Sequence, residues 1–137
     1  DSKKLMSNLI DTDIIIYSLK NDPHVNKNFK KNRDYPKSIS VITYGELIYG
    51  AEKSQNKEKN LAKIRRIAEI FPIINISNFI MDTFGELKVI LEKSGKTIDD
   101  MDLLIASTVL THNLILVTTN EKHFSRIKGL EIENWTT

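Results

Sequence analysis

Leu9-Ile10-Asp11-Thr12-Asp13-Ile14-Ile15-Ile16-Tyr17 is the stretch that decides how this chain folds. Two apolar residues run into a carboxylate, and a second apolar run starts two residues later. That reads as a short strand handing over to a helix, with Asp11 at the junction. Asn21-Asp22-Pro23 stops the helix, and a polar, basic stretch carries the chain to Lys37. Ser38 to Ile42 then alternates with β-branched residues, as a second strand should. Thr43 is expected to open a helix reaching about Ala51. Leu61, Ile64, Ile67, Ala68 and Phe71 recur at spacings of three and four, predicting an amphipathic helix from Lys57 that Pro72 ends.

The same alternation continues downstream. Ile73 to Ile76 is a third strand. Phe79, Ile80, Thr83, Phe84, Leu87, Ile90 and Leu91 make a helical stripe, with Gly95 just past its end as a cap. A further helix starts near Asp99 and runs to about His112, with Met101, Leu104, Ile105, Thr108 and Val109 on its apolar side. Leu114 to Val117 is unbroken apolar sequence, as in a strand covered on both faces, and Leu130 to Glu133 adds an edge strand. Short strands alternating with helices predict an α/β fold. The expected form is a three-layer α/β/α sandwich around a mainly parallel sheet of four to five strands.

Bulk composition narrows the class. The 137 residues suit one domain, taken as 6–135, with Asp1 to Leu5 read as an appended remnant. No apolar run approaches the ~20 residues of a membrane span and no signal-peptide stretch is present, so no membrane association and a cytoplasmic location are expected. Cysteine is absent, which removes disulfides, thiolate metal sites and cysteine nucleophiles. Net charge is only +2, but its distribution is uneven. Residues 1–70 carry 14 Lys/Arg against 9 Asp/Glu, and residues 71–137 carry 6 against 9, or +5 and −3. A basic rim beside an acidic pocket suits metal-assisted work on nucleic acid. Lys53, Lys57, Lys63, Arg65 and Arg66 are the candidates to track phosphates, where the alternative is solvated charge on a helix face.

Asp11, Glu46 and Asp102 come from distant segments, each at a strand end or a helix start, where ligands collect in open α/β sheets. Each has a structural reading as well. Asp11 can cap the following helix, and Thr43-Tyr44-Gly45-Glu46 matches a capping box. Asp99, Asp100 and Asp102 crowd one helix start, which needs a single cap. Close carboxylates repel and raise one another's pKa, whereas a divalent cation turns the crowding into a binding site. Only oxygen donors are grouped, since His24, His112 and His123 are scattered, so Mg²⁺ or Mn²⁺ is expected and not zinc.

Four motifs in order, Leu9-Ile10-Asp11-Thr12-Asp13, Ser40-Val41-Ile42-Thr43-Tyr44-Gly45-Glu46-Leu47, Asp102-Leu103-Leu104-Ile105-Ala106 and Leu116-Val117-Thr118-Thr119-Asn120 with Phe124, resemble the PIN domain in its VapC toxin branch. The resemblance implies a Mg²⁺-dependent endoribonuclease, the toxin of a bacterial toxin–antitoxin pair. It further implies a homodimer, an antitoxin that wraps over the groove, and a structured RNA substrate such as tRNA. Carried over, Asp11 and Asp102 are metal ligands and Glu46 assists through water. Asn120 stands where many PIN domains have Asp, which reduces the site's charge and disfavours a second permanent metal. Thr118 is a candidate to hydrogen-bond a ligand. Of Asp99 and Asp100, one is expected to assist the metal and the other to cap.

Three rivals are distinguishable. Asp11-Thr12-Asp13 also resembles the first motif of haloacid dehalogenase-type phosphatases, with Asp11 as nucleophile and Asp13 as acid. Against that, the later acidic pair follows Lys96-Thr97-Ile98 and not a buried strand. A receiver-type phosphoacceptor needs Asp after the third strand, where this chain has Asn75-Ile76-Ser77. A PIN domain that binds RNA without cutting it is the third.

Overall fold

The computed structural model describes residues 7–137; Met6 and the expected remnant lie outside the described residues. The element order is β1 (Asn8–Ile10), α1 (Thr12–Leu19), α2 (Pro23–Lys31), β2 (Lys37–Ser40), α3 (Val41–Glu52), α4 (Lys57–Ile70), β3 (Ile73–Ile74), α5 (Asn78–Lys93), α6 (Asp100–His112), β4 (Ile115–Val117), α7 (Glu121–Phe124) and β5 (Ile132–Glu133). The five strands lie in the order β3-β2-β1-β4-β5, and every described pairing is parallel.

The three layers follow from the period of two along the central strands. Leu9 pairs in register with Leu116 and Ile10 with Val117, so each pair shares one face of the sheet. Ile10 and Val117 pack with Ile14, Ile15, Val25, Leu47 and Ile64, the layer of α1 to α4. Leu9 and Leu116 pack with Leu91, Leu103, Ile105, Val109 and Phe124, the layer of α5 to α7. Both faces being covered explains why β1 and β4 are buried throughout, β4 as unbroken apolar sequence and β1 with Leu9 and Ile10 after a buried Asn8.

Several elements differ from expectation, each for a local reason. Helix α3 begins at Val41, not Thr43, because Ser40 is the cap and its side chain accepts from Ile42 N at 3.0 Å. Thr43 therefore lies inside the first turn, fully buried, and no capping box with Glu46 forms. The basic stretch after Pro23 is helical. Asp22 caps it by accepting from Val25 N at 3.0 Å, Pro23 opens it, and Val25 and Phe29 are its apolar contacts. On α6, Met101 is 51 % exposed, and Leu103, Ala106 and Ser107 join Ile105, Thr108 and Val109 inside. Gly95 is at φ +69° and closes α5 as expected, with Lys96 N donating to Leu91 O at 2.9 Å.

The strand order also creates a crevice. From β1 the chain builds outward through β2 to β3, then crosses back to place β4 on the other side of β1. The direction of winding reverses between β1 and β4, and the crevice opens beyond their carboxyl ends.

Candidate metal and phosphate site

Asp11 and Thr118 are the first residues past β1 and β4, so they stand at that crevice. Asp11 N donates to Val117 O at 2.9 Å, which extends the strand pairing by one residue and locks the Asp11 backbone. Its side chain is held from two sides. Thr12 N donates to Oδ1 at 2.9 Å and Thr118 Oγ1 donates to Oδ2 at 2.7 Å. Thr118, fully buried, also accepts from Asn120 N at 3.0 Å. The capping and ligand readings of Asp11 are therefore compatible, because the carboxylate caps α1 through one oxygen and faces the crevice.

Asp11 is only 7 % exposed, and its pKa is pushed up to about 6. Burial is the main cause, with the charges of Asp102 and Asp13 adding, and the Thr118 and Thr12 hydrogen bonds opposing. Asp102, half-buried in the first turn of α6, also titrates above the ordinary aspartate value. Burial comes first, then the charges of Asp99, Glu46 and Asp13, with His123 pulling the other way. Carboxylates from α1, α3 and α6 thus feel one another at one mouth. Such a cluster disfavours its own charge until a cation neutralises it.

Glu46 sits in the second turn of α3, exposed, with Oε1 accepting from Thr12 Oγ1 at 2.5 Å. Thr12 Oγ1 is also 3.1 Å from Thr43 Oγ1. The Thr12 hydroxyl, itself bonded to that of Thr43, thus does what the absent capping box does not: it fixes where Glu46 points. Asp13 accepts from Thr119 Oγ1 at 3.2 Å on the rim.

The other expected residues divide. Asp99 caps α6 by accepting from Met101 N at 3.2 Å, and Asp100 pairs with Lys88 at 3.1 Å. Asn120 aims its amide at the ring of His123, 3.1 Å away. Lys57 is tied to Glu52 at 2.8 Å and Lys53 lies over the Tyr49 ring at 4.7 Å. Arg65 is exposed and lines neither groove beside α4. Only Lys63 and Arg66 border those grooves, joined by Lys20 and Lys59, which sequence reasoning did not single out. Thr12, Thr43 and His123 were also missed. Hydroxyls carry no spacing signal, and His123 enters the site only through the one-turn helix α7.

The donor set fits a hard cation. The carboxylates at the mouth offer only oxygen donors, and Asp11 keeps lone pairs free beyond its two hydrogen bonds. Among the described residues no group of three or more His, Cys, Asp and Glu is close enough to hold an ion by itself. Mg²⁺ keeps several waters and takes one or two carboxylates, so Asp11 and Asp102 are the residues that would hold it.

The chain has recognisable relatives. The model of the PIN domain family matches residues 9–130. A tRNA(fMet)-specific endonuclease VapC of Shigella flexneri is 35 % identical over 129 residues, covering 93 % of this chain and 97 % of the relative. Ribonuclease VapC2 of Rickettsia felis is 38 % identical over 131 residues, covering 93 % and 96 %. The crystal structure of VapBC2 from Rickettsia felis, bound to a DNA fragment from its promoter, superposes with a TM-score of 0.88 at 36 % identity, covering 95 % of this chain and 99 % of that one. None of the three is a phosphatase of the haloacid dehalogenase type or a receiver domain. Among the described residues, no helix is long and apolar enough to cross a membrane.

Proposed function

The chain belongs to the PIN-domain family, in its VapC branch, and on that premise we propose that it is a Mg²⁺- or Mn²⁺-dependent endoribonuclease, the toxin of a toxin–antitoxin pair. The observation that carries the reading is Asp11, buried at the switch between β1 and β4, held by Thr118 and made costly to ionise by its burial and, to a smaller extent, by the Asp102 carboxylate. Asp11 and Asp102 would hold the ion. When bound, it polarises the phosphodiester and lowers the pKa of an attacking water. The residues do the rest. Thr118 and Thr12 keep both Asp11 oxygens in register, and Thr12, itself bonded to Thr43, holds Glu46 facing the same mouth, ready to accept a proton from water. The substrate proposed is a structured RNA such as a tRNA, by analogy with the Shigella relative.

The test is direct. Partner-free protein should fragment total bacterial RNA in Mg²⁺, and excess EDTA should leave the same RNA intact; identical patterns with and without EDTA would remove the assignment.

The partner proposed is a cognate antitoxin, supported by the VapBC complexes among similar structures. A groove of about 340 Å³ runs from Glu46 along Ile16, Leu19, Leu47 and Ile64, with Lys20 and Lys63 at its edge. Its apolar floor and basic rim suit an amphipathic acidic segment, which would cover Glu46 as it docked. Leu19 is 39 % exposed and borders both grooves. Leu19→Asp should weaken antitoxin binding by about tenfold or more, read as Kd by calorimetry. An unchanged Kd would move the partner elsewhere. The family's homodimer is part of the same proposal, with Phe79 and Ile90 of α5, 66 % and 60 % exposed, as apolar surface for a second copy to bury.

A further inference from the structure

We infer that His123 contacts the substrate, donating a hydrogen bond from its imidazole Nε2 to a non-bridging oxygen of the phosphate that is cut. The inference rests on the endoribonuclease reading above and adds to it a group that the carboxylates do not supply.

The backbone under His123 is fixed. Phe124 is fully buried and Ile127 is 4 % exposed, so α7 is anchored in the core on the far side from the ring. Phe124 N donates to Asn120 O at 3.2 Å, and Asn120 N donates to Thr118 Oγ1 at 3.0 Å. That hydroxyl in turn donates to Asp11 at 2.7 Å. A hydrogen-bonded chain thus ties the turn carrying His123 to the carboxylate at the centre of the site.

The ring's orientation is also set. Its Nδ1 lies 3.1 Å from Asn120 Nδ2. An amide nitrogen can only donate, so Nδ1 accepts and the neutral ring carries its proton on Nε2. Among the described residues none is hydrogen-bonded to that Nε2, and the residue is exposed. His123 is close enough to Asp102 for the two to interact, which puts the ring on the Asp102 side of the mouth.

The chemistry needs such a donor. A phosphodiester is an anion, and Asp11, Asp13, Glu46, Asp99 and Asp102 all repel it. A site that handles developing charge on phosphate oxygens requires donors aimed at them. Asn120, where an acidic residue would add repulsion, instead presets the tautomer that presents Nε2–H.

The test is single-turnover cleavage of one defined RNA by partner-free protein in Mg²⁺. His123→Ala should slow cleavage by about 10- to 100-fold, the scale of a charge-assisted hydrogen bond, with melting temperature unchanged. His123→Gln, whose amide reaches near the Nε2 position, should recover most of the loss. Sulfur replacing each non-bridging oxygen in turn gives the decisive readout. The isomer whose penalty softer Mn²⁺ does not relieve marks the oxygen that is off the metal, and that penalty should vanish in His123→Ala. Wild-type rates in His123→Ala, or a slower variant that keeps the full sulfur penalty, would overturn the inference and leave the nuclease reading standing. A wild-type protein that cleaves no RNA in either metal would remove both.

Discussion

Asp102→Asn is expected to lower metal-dependent RNA cleavage by about 1000-fold or more, the scale of losing several kcal/mol of charge stabilisation from a metal site. The same variant is expected to fold normally. Asp102 is not the cap of α6, a role that Asp99 fills by accepting from Met101 N at 3.2 Å. Its carboxylate titrates above the ordinary range because of burial and the nearby charges of Asp99 and Glu46, so an amide there relieves repulsion that the metal-free fold otherwise bears. Two measurements separate the possibilities: single-turnover rate in Mg²⁺ and melting temperature in EDTA. A variant that melts well below wild type would mean Asp102 is structural, and its lost activity would then say nothing about a ligand.

The second large effect concerns pH and the metal-free protein. Asp11 is pushed up to about 6 from an ordinary value of 3.8. Below that ordinary value both folded and unfolded chains hold the proton, and the group costs nothing. Between there and about 6 the unfolded chain gives up its proton first, so stability falls as pH rises; above the raised value the penalty is complete. The ionised carboxylate then costs the metal-free fold on the order of 3 kcal/mol. Asp11→Asn keeps a side-chain oxygen for Thr12 N and removes the charge. In EDTA at pH 7.5 it should melt roughly 5 to 10 °C above wild type, and the difference should close as pH is lowered toward 4. With metal the order reverses, since only wild type gains from the ion, and its apparent affinity should weaken below about pH 6 as protons compete for Asp11. A variant less stable than wild type at every pH would show that the carboxylate is held for structure and not for a cation. Function placed against stability in this way is common at sites that await a charged ligand.

What the sequence made legible, and what it hid, divide along physical lines. β4 was readable because a strand covered on both faces is apolar at every position, and β1 from its Leu9-Ile10 pair, with Asp11 standing out as the charge that ends it. The helix from Lys57 was readable because its apolar residues keep helical spacing all the way to Pro72. Helix α2 was hidden because a helix that buries one residue, Val25, and leans Phe29 on the core leaves no stripe to see. Ser40 was overlooked as the α3 cap because it also ends a strand, so Thr43 three residues before Glu46 offered a motif that fitted sequence but not register. At the site, Asp11 and Asp102 were legible from charge placed at element ends. Thr118 was marked only through the family resemblance, and Thr12 and Thr43 not at all, because sheet order and not a local pattern brings such hydroxyls to the carboxylates. His123 was hidden for the same reason, its place being set by a single turn after β4.

The most direct test of two carboxylates sharing a catalytic ion is to titrate Mg²⁺ into partner-free protein and follow RNA cleavage and melting temperature in the same solutions. In wild type both should rise with one midpoint, and in Asp102→Asn both should stay flat. Cleavage that persists in Asp102→Asn, or that is indifferent to Mg²⁺ while the melting temperature climbs, would contradict the account.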